Sequence, residues 1–224
     1  KRDRSEHEWT RRKGVRALGL HRHNGLWVFV TTEGGYGAGG KVVEDVIQLE
    51  RWQGITSTIL DCDPLGADAL RELGGLLLRY NEPAKTVVVL AWCAGCFIKE
   101  HLKRQKIKYP HLFLIGEAGS GKSNTLERVI LPIFGREKVN AATQGTSFTL
   151  MKESASSNII PQPLDEFKPS KIDKIKLPTL YNHMRDSYDG HAGVRGRADQ
   201  SAVSYDLLAP LVVAGEESPD EAAI

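Results

Sequence analysis

Leu112 to Leu126 reads LFLIGEAGSGKSNTL, and the fold depends on whether it is a strand, a loop and a helix in succession. Gly116, Gly121, Lys122 and Ser123 satisfy G-x-x-x-x-G-K-[ST]. The mostly apolar run from His111 to Ile115, bounded by Pro110, predicts a short buried strand. Ser123 to Ile130 favours helix, with Leu126, Val129 and Ile130 on one side. That context gives the spacing its meaning. Glycines at 116, 119 and 121 let the backbone approach phosphate oxygens closely. The N–H groups from Gly119 to Ser123 then face the anion, aided by the positive end of the helix. Lys122 is expected to reach the β- and γ-phosphates and the Ser123 hydroxyl to ligate Mg²⁺. The nucleotide-binding set is Gly116, Gly119, Ser120, Gly121, Lys122, Ser123 and Asn124.

Hydrolysis needs a second half to the site. In NIIPQPLDEF, 158 to 167, apolar residues lead into Asp165-Glu166, about 43 residues after Lys122. At a strand's C-terminal end, Asp165 would hold Mg²⁺ and Glu166 would orient and polarise the attacking water. The second acid favours water over a metabolite as phosphoryl acceptor. Pro161 and Pro163 both lack an N–H, and residues two apart aim that group at the same neighbour. The strand is therefore expected near the sheet's margin or beside a very short partner. A further buried strand is predicted over Leu211 to Ala214, ending in Gly215, Glu216, Glu217 and Ser218. Between these elements, YDGHAGVRGRADQSAVSYD (188 to 206) reads as a β-hairpin carrying His191, Arg195 and Arg197. Its basic residues suit a nucleic-acid backbone; an arginine reaching a neighbouring subunit's nucleotide and a plain solvated loop remain open.

The other glycine-rich stretch, GGYGAGGKVV at 34 to 43, has Val42 where the motif needs a hydroxyl, and reads as a turn. In 19 to 30, Asn24-Gly25 separates two strand-like runs and signals a hairpin; His21 and His23 there read as ordinary strand residues. Leu70, Leu73, Leu77 and Tyr80 recur at helical spacing, and a second helix is expected from about Ala84 to Gln105. We read 1–83 as a smaller accessory α/β region and 84–224 as the nucleotide-binding core.

At 224 residues, 41% hydrophobic and 26% charged, the chain is long enough for one large core with an appendage. Its net charge of +2 announces no polyanionic partner, although 99–108 and 2–13 each hold five lysines and arginines. Of Cys62, Cys93 and Cys96, the last two form C-x-x-C inside an apolar helical run. With no second pair to complete a zinc site, they read as packed thiols, with a redox pair as the alternative. That run is too short to cross a bilayer. A reduced, cytoplasmic setting without membrane insertion is expected.

GEAGSGKS, LDEF and APLVVAGEES, in that order, resemble the helicase-like AAA+ ATPases of phages, plasmids and mobile elements, near the viral superfamily-three and MCM helicases. The resemblance covers about 84 to 218. It implies a P-loop NTPase (AAA+-like) parallel sheet flanked by helices, with ATP and Mg²⁺ as ligands. It makes Lys122, Asp165 and Glu166 catalytic. It also puts a γ-phosphate sensor, with Glu216 and Ser218 as candidates, on a strand between those bearing the loop and the acids. Such proteins assemble as hexameric rings and translocate on single-stranded or forked DNA, which would make His191, Arg195 and Arg197 DNA contacts. Family members continue into a fifth strand, an arginine finger and often a lid, so the core is expected to be incomplete at Ile224, with the rest in a longer chain or supplied elsewhere. Without that strand, the loop-bearing strand would form a bare sheet edge. The resemblance thus implies a DNA helicase or translocase. A nucleotide-controlled switch or scaffold, in phage defence or replisome assembly, is the alternative, with a small-molecule kinase behind both.

Overall fold

The computed structural model describes residues 11–49, 66–136, 140–141, 145–196 and 202–219, with side chains excepted at 140, 194–196 and 202–203; in it, helices flank a parallel sheet in a mixed α/β arrangement. The chain opens with β1 (Lys13–Val15), β2 (Gly19–His23), β3 (Leu26–Val30), β4 (Gly35–Tyr36), β5 (Val42–Val43) and β6 (Val46–Gln48). Strands β2 to β5 form an antiparallel sheet in chain order, while β1 pairs with β6 in parallel. The turn at Asn24-Gly25 has φ of 46° and 80°, the positive pair that a tight hairpin needs. The stretch 34–43 is a narrow hairpin of β4 and β5 around a 3₁₀ turn at Ala38–Gly40.

Next come α1 (Ala67–Leu77) and α2 (Pro83–Arg104), the latter with proline in its first turn, where no N–H is missed. The periodicity at Leu70, Leu73 and Leu77 does mark a helix, but Tyr80 falls beyond its end at Leu77, and α1 buries none of its residues. After β7 (Leu112–Ile115) the chain runs through α3 (Lys122–Thr125), a π-helical turn over Leu126–Ile130, and α4 (Leu131–Ile133). These three pieces are continuous, and the middle one is wide because the Leu131 N–H reaches back five residues to Leu126 O. Pro132 accounts for this. In a regular helix its ring would strike the carbonyl four residues earlier, and a π-turn makes room. The remaining elements are β8 (Asn140–Ala141), α5 (Ser147–Ser154), β9 (Gln162–Phe167), α6 (Lys176–Asp189), β10 (Ala192–Gly196), β11 (Ala202–Asp206) and β12 (Leu211–Gly215).

The parallel sheet has the order β7-β12-β9-β8. Strand β12 therefore lies between the strands that carry the glycine loop and the acid pair, and β7 stands at the edge among the described residues. Alternation of side chains divides β12 between two cores. Val212 and Ala214 pack with Leu112, with Trp92, Cys93 and Cys96 of α2, and with Leu126 and Ile130. Leu211 and Val213 pack with Leu164 and Phe167 of β9, Leu150 of α5, and Leu180 and Met184 of α6. Covered on both faces, β12 can be apolar at every position.

The prolines of β9 have the expected consequence. The Gln162 N–H donates toward β12, to Pro210 O at 2.9 Å, so Pro161 and Pro163 turn their hydrogen-less nitrogens the other way. On that side, among the described residues, β8 meets Leu164 and Asp165 and leaves Pro161 to Pro163 without a ladder partner. The Pro161 carbonyl accepts instead from the buried Arg136 guanidinium at 3.0 Å. Arg136 also pairs with buried Glu153, and the Gln162 amide donates to Glu153 Oε2 at 3.4 Å.

The accessory sheet is stitched to this core. Leu18 bridges Ser157, and the Asn158 amide bonds both the N–H and the carbonyl of Leu20, at 2.9 and 2.8 Å. Leu18 belongs to the same apolar core as Leu112 and Val212. Cys93 and Cys96 are buried free thiols. Desolvation pushes both pKa values up, Cys93 to about 12, so neither forms a thiolate readily. Cys62 lies outside the described residues. Among the described residues no helix is long and apolar enough to cross a membrane.

Two histidines predict acid lability. Burial lowers the pKa of both His111 and His183 to about 4; His111 Nε2 lies 2.9 Å from Met184 O and His183 Nε2 3.0 Å from Gln162 Oε1. Each is neutral when folded and takes up a proton near pH 6.5 when unfolded. Stability is thus full above about pH 6.5 and falls as the pH drops toward 4, by about 2 kcal/mol per imidazole at pH 5. Urea midpoints at pH 7 and pH 5 measure this, and equal midpoints would contradict it.

Candidate functional site

The register sets the geometry. Ile115 pairs with Gly215 and Gly215 with Phe167, so β7, β12 and β9 end level at their C-terminal edge. The loop after Ile115, the residues after Gly215 and the acid pair before Phe167 therefore share one edge. Loop and acids are separated by two strand spacings, about 10 Å. The C-terminal edge of an open parallel sheet is where ligands bind such folds.

Gly119 and Gly121 have φ of +77° and +86°, and a Cβ at either would meet open space. It is the backbone conformation that demands glycine at both. The Gly116 N–H donates to Gly215 O at 3.2 Å, extending the β7–β12 ladder by one residue. The Lys122 ammonium folds over the loop, donating to Gly116 O at 2.8 Å, Glu117 O at 2.7 Å and Ser120 Oγ at 3.2 Å. Ser123 and Asn124 are exposed in the first turn of the helix.

Asp165 and Glu166 sit in a β-bulge. Val213 pairs with Leu164 and Gly215 with Phe167, so two residues of β9 face Ala214 alone. Glu166 takes up the extra length with φ of +57°, a left-handed conformation that is strained for any residue but glycine. Its N–H donates to Asp165 Oδ1 at 2.8 Å. Such bulges re-aim side chains, and this one sets the exposed Glu166 carboxylate at the rim. The bulge also presses Phe167 onto β12. A Cβ on Gly215 would lie 2.0 Å from Phe167 O, and that oxygen accepts from the Glu216 N–H at 3.1 Å.

The two sensor candidates differ. Glu216 is ion-paired with Lys168, which holds its pKa below the ordinary glutamate value, with smaller contributions from Lys171 and Lys122. Ser218 is exposed two residues further on. Glu217 accepts from the Ser170 N–H at 3.0 Å and from its hydroxyl at 2.6 Å. Lys168 and Gly215 are site residues that the sequence reading missed. The signal for Lys168 is its place just past the acid pair, on a strand ending level with Gly215.

The hairpin lies elsewhere. Strand β11 leads through Leu207 to Pro210 into the start of β12, so the base of the hairpin, at Ala192 and Asp206, lies at the N-terminal edge of the sheet. Their pairing runs from Ala192↔Asp206 to Gly196↔Ala202. The Met151 side chain of α5 lies where a Gly193 Cβ would be, and Tyr205 packs edge-on against Phe148 of α5. His191 is at the hairpin base, its N–H donating to Asp186 O at 2.9 Å and its Nδ1 3.6 Å from the Asp186 carboxylate. Arg195 is a strand residue opposite Val203, and Arg197 lies outside the described residues. His191, at the base of the hairpin, thus lies at the edge of the sheet opposite the loop and the acids.

Ser123 and Asp165 supply hard oxygen donors. Among the described residues no group of three or more His, Cys, Asp or Glu could by itself hold a metal ion. No family model matches the chain, and no curated protein matches it.

Proposed function

We propose that the chain is the core of an AAA+-like P-loop ATPase that couples hydrolysis of ATP to movement on single-stranded or forked DNA. On this reading it is a helicase or translocase of a phage or mobile-element replication system, working in the cytoplasm as a homo-hexameric ring. The observation that carries it is the level ending of β7, β12 and β9, with the loop and the acid pair at one edge and one strand between them.

The chemistry follows from that edge. Backbone N–H groups of Gly119 to Ser123 receive the β-phosphate, and Lys122 leaves its carbonyl partners to neutralise the β- and γ-phosphate oxygens. Ser123 and Asp165 would hold Mg²⁺, which offsets charge developing between those phosphates. Glu166, exposed on the bulge, orients water for in-line attack and accepts its proton. Glu216 can report the γ-phosphate by exchanging Lys168 for Lys122, and Ser218 by its hydroxyl. The hairpin, carried on the linker into β12, supplies Arg195, Arg197 and His191 to the DNA backbone.

Phosphate release from Mg·ATP, with and without single-stranded DNA, tests the coupling. DNA should raise the rate, and the Arg195→Ala/Arg197→Ala variant should lose that increment. A rate indifferent to DNA, with ATP still changing the assembly state, would replace the motor by a nucleotide-controlled switch. Transfer of the γ-phosphate to a metabolite instead of water would replace both by a kinase.

A further inference from the structure

The N-terminal edge of the parallel sheet carries more than the hairpin. Helix α2 ends at Arg104 and the chain then enters β7 at Leu112, so the basic end of α2 lies at that edge. Leu18 and Leu20 dock on Ser157 and Asn158, just before β9 begins, which brings the β2–β3 hairpin there too. Trp27 of β3 is the meeting point. The Arg22 guanidinium stands 5.2 Å from its ring centre and that of Arg104 5.5 Å, with the His101 ring edge-on at 5.8 Å. Lys13 adds a further charge by donating to Arg22 O. Among the described residues neither guanidinium has a carboxylate partner, in contrast to Arg71, which pairs with Asp68. Two guanidinium groups held against one ring without an ion-pair partner have given up rotamer freedom in advance and keep their N–H groups for an acceptor.

We propose that Arg22 and Arg104, positioned by Trp27, form a second phosphate-contacting surface for single-stranded DNA, on the same edge of the sheet as the base of the β10–β11 hairpin. This rests on the DNA-motor reading. A nucleic acid is the partner of choice because the surface is cationic and aromatic and lies on the edge from which the hairpin departs. With the ring faces engaged by guanidinium groups, the contacts are to phosphates and not to stacked bases, so binding is indifferent to sequence.

The test is the salt dependence of binding of a fluorescein-labelled oligothymidine to the full chain, read by anisotropy between about 50 and 200 mM salt. Wild type is compared with Arg22→Gln/Arg104→Gln, with each single variant, and with Arg71→Gln as a control that removes one arginine elsewhere on the surface. Loss of two phosphate contacts should reduce the slope of log K against log[salt] by about 1.4, which at 0.1 M salt is about a 25-fold weaker affinity. Arg71→Gln should match wild type. If the double variant keeps the wild-type slope and affinity while wild type binds, this surface is not a DNA site and the motor reading stands. If wild type does not bind the oligonucleotide, both fall. Binding to anionic phospholipid vesicles that needs Arg22 and Arg104, beside DNA binding that does not, would also overturn the proposal in favour of a membrane surface.

Discussion

Glu166→Gln should lower the rate of ATP hydrolysis by about 10²- to 10⁴-fold, the range for loss of a general base, while the Kd for Mg·ATP stays within about threefold. The amide has the carboxylate's shape, so the bulge and its Asp165 hydrogen bond persist and only proton acceptance is lost. The same position offers a check from strain. Glu166 has φ of +57°, so Glu166→Gly should be equally inactive and yet more stable than wild type, by about 1 kcal/mol. Single-turnover hydrolysis with parallel thermal melts separates the two effects. Full activity in Glu166→Gln would move the proton acceptor to another group, and a loss of stability in Glu166→Gly would mean that the left-handed conformation is not maintained.

Gly215→Ala should be the most damaging small substitution in the sheet. The added Cβ would sit 2.0 Å from Phe167 O and 2.8 Å from its carbonyl carbon, and both are backbone atoms of the neighbouring strand. No side-chain rotation relieves that contact. Forcing the strands apart should cost about 3 kcal/mol and lower the Tm by about 6–12 °C. Because Phe167 directly follows Glu166, hydrolysis in the folded variant should fall as well. Thermal denaturation by circular dichroism measures the first effect, and a Tm within a degree of wild type would show that β9 and β12 do not approach so closely.

The parts of the molecule legible in the sequence are those that a short run of residues determines. Leu112 to Ile130 declares strand, loop and helix because glycine, lysine and serine occur at a spacing with few other uses. Pro161 and Pro163 foretold that β9 is fully laddered on one side alone, because a missing N–H constrains the adjacent strand directly; the Gln162 N–H between them donates toward β12, and β9 has only β8 beyond it among the described residues. Asn24-Gly25 likewise announced a hairpin through the positive φ it tolerates.

What escaped depends on which strand lies beside which. The bulge at Asp165-Glu166 is a mismatch of register between β9 and β12, and nothing within LDEF signals it. Gly215 carries the only local trace, as a residue without a side chain where Phe167 presses in. The engagement of Glu216 by Lys168 is hidden for the same reason, since the two are 48 positions apart and meet because their strands end level. In α1 the spacing of leucines specified a helix and a face, but periodicity does not say what covers that face. The π-turn before α4 was not anticipated, although Pro132, whose cost within a helix is a local matter, was there to signal it.

The most direct test of the phosphate-binding edge is calorimetric titration of the protein with Mg·ATP, wild type against Lys122→Ala. One site per chain is expected in wild type. Removal of the ammonium should weaken binding by about 100-fold, the loss of a charge-assisted contact to phosphate worth nearly 3 kcal/mol. Equal affinity in the two proteins, or no binding by wild type, would contradict the assignment of Gly116 to Ser123 as a nucleotide cradle.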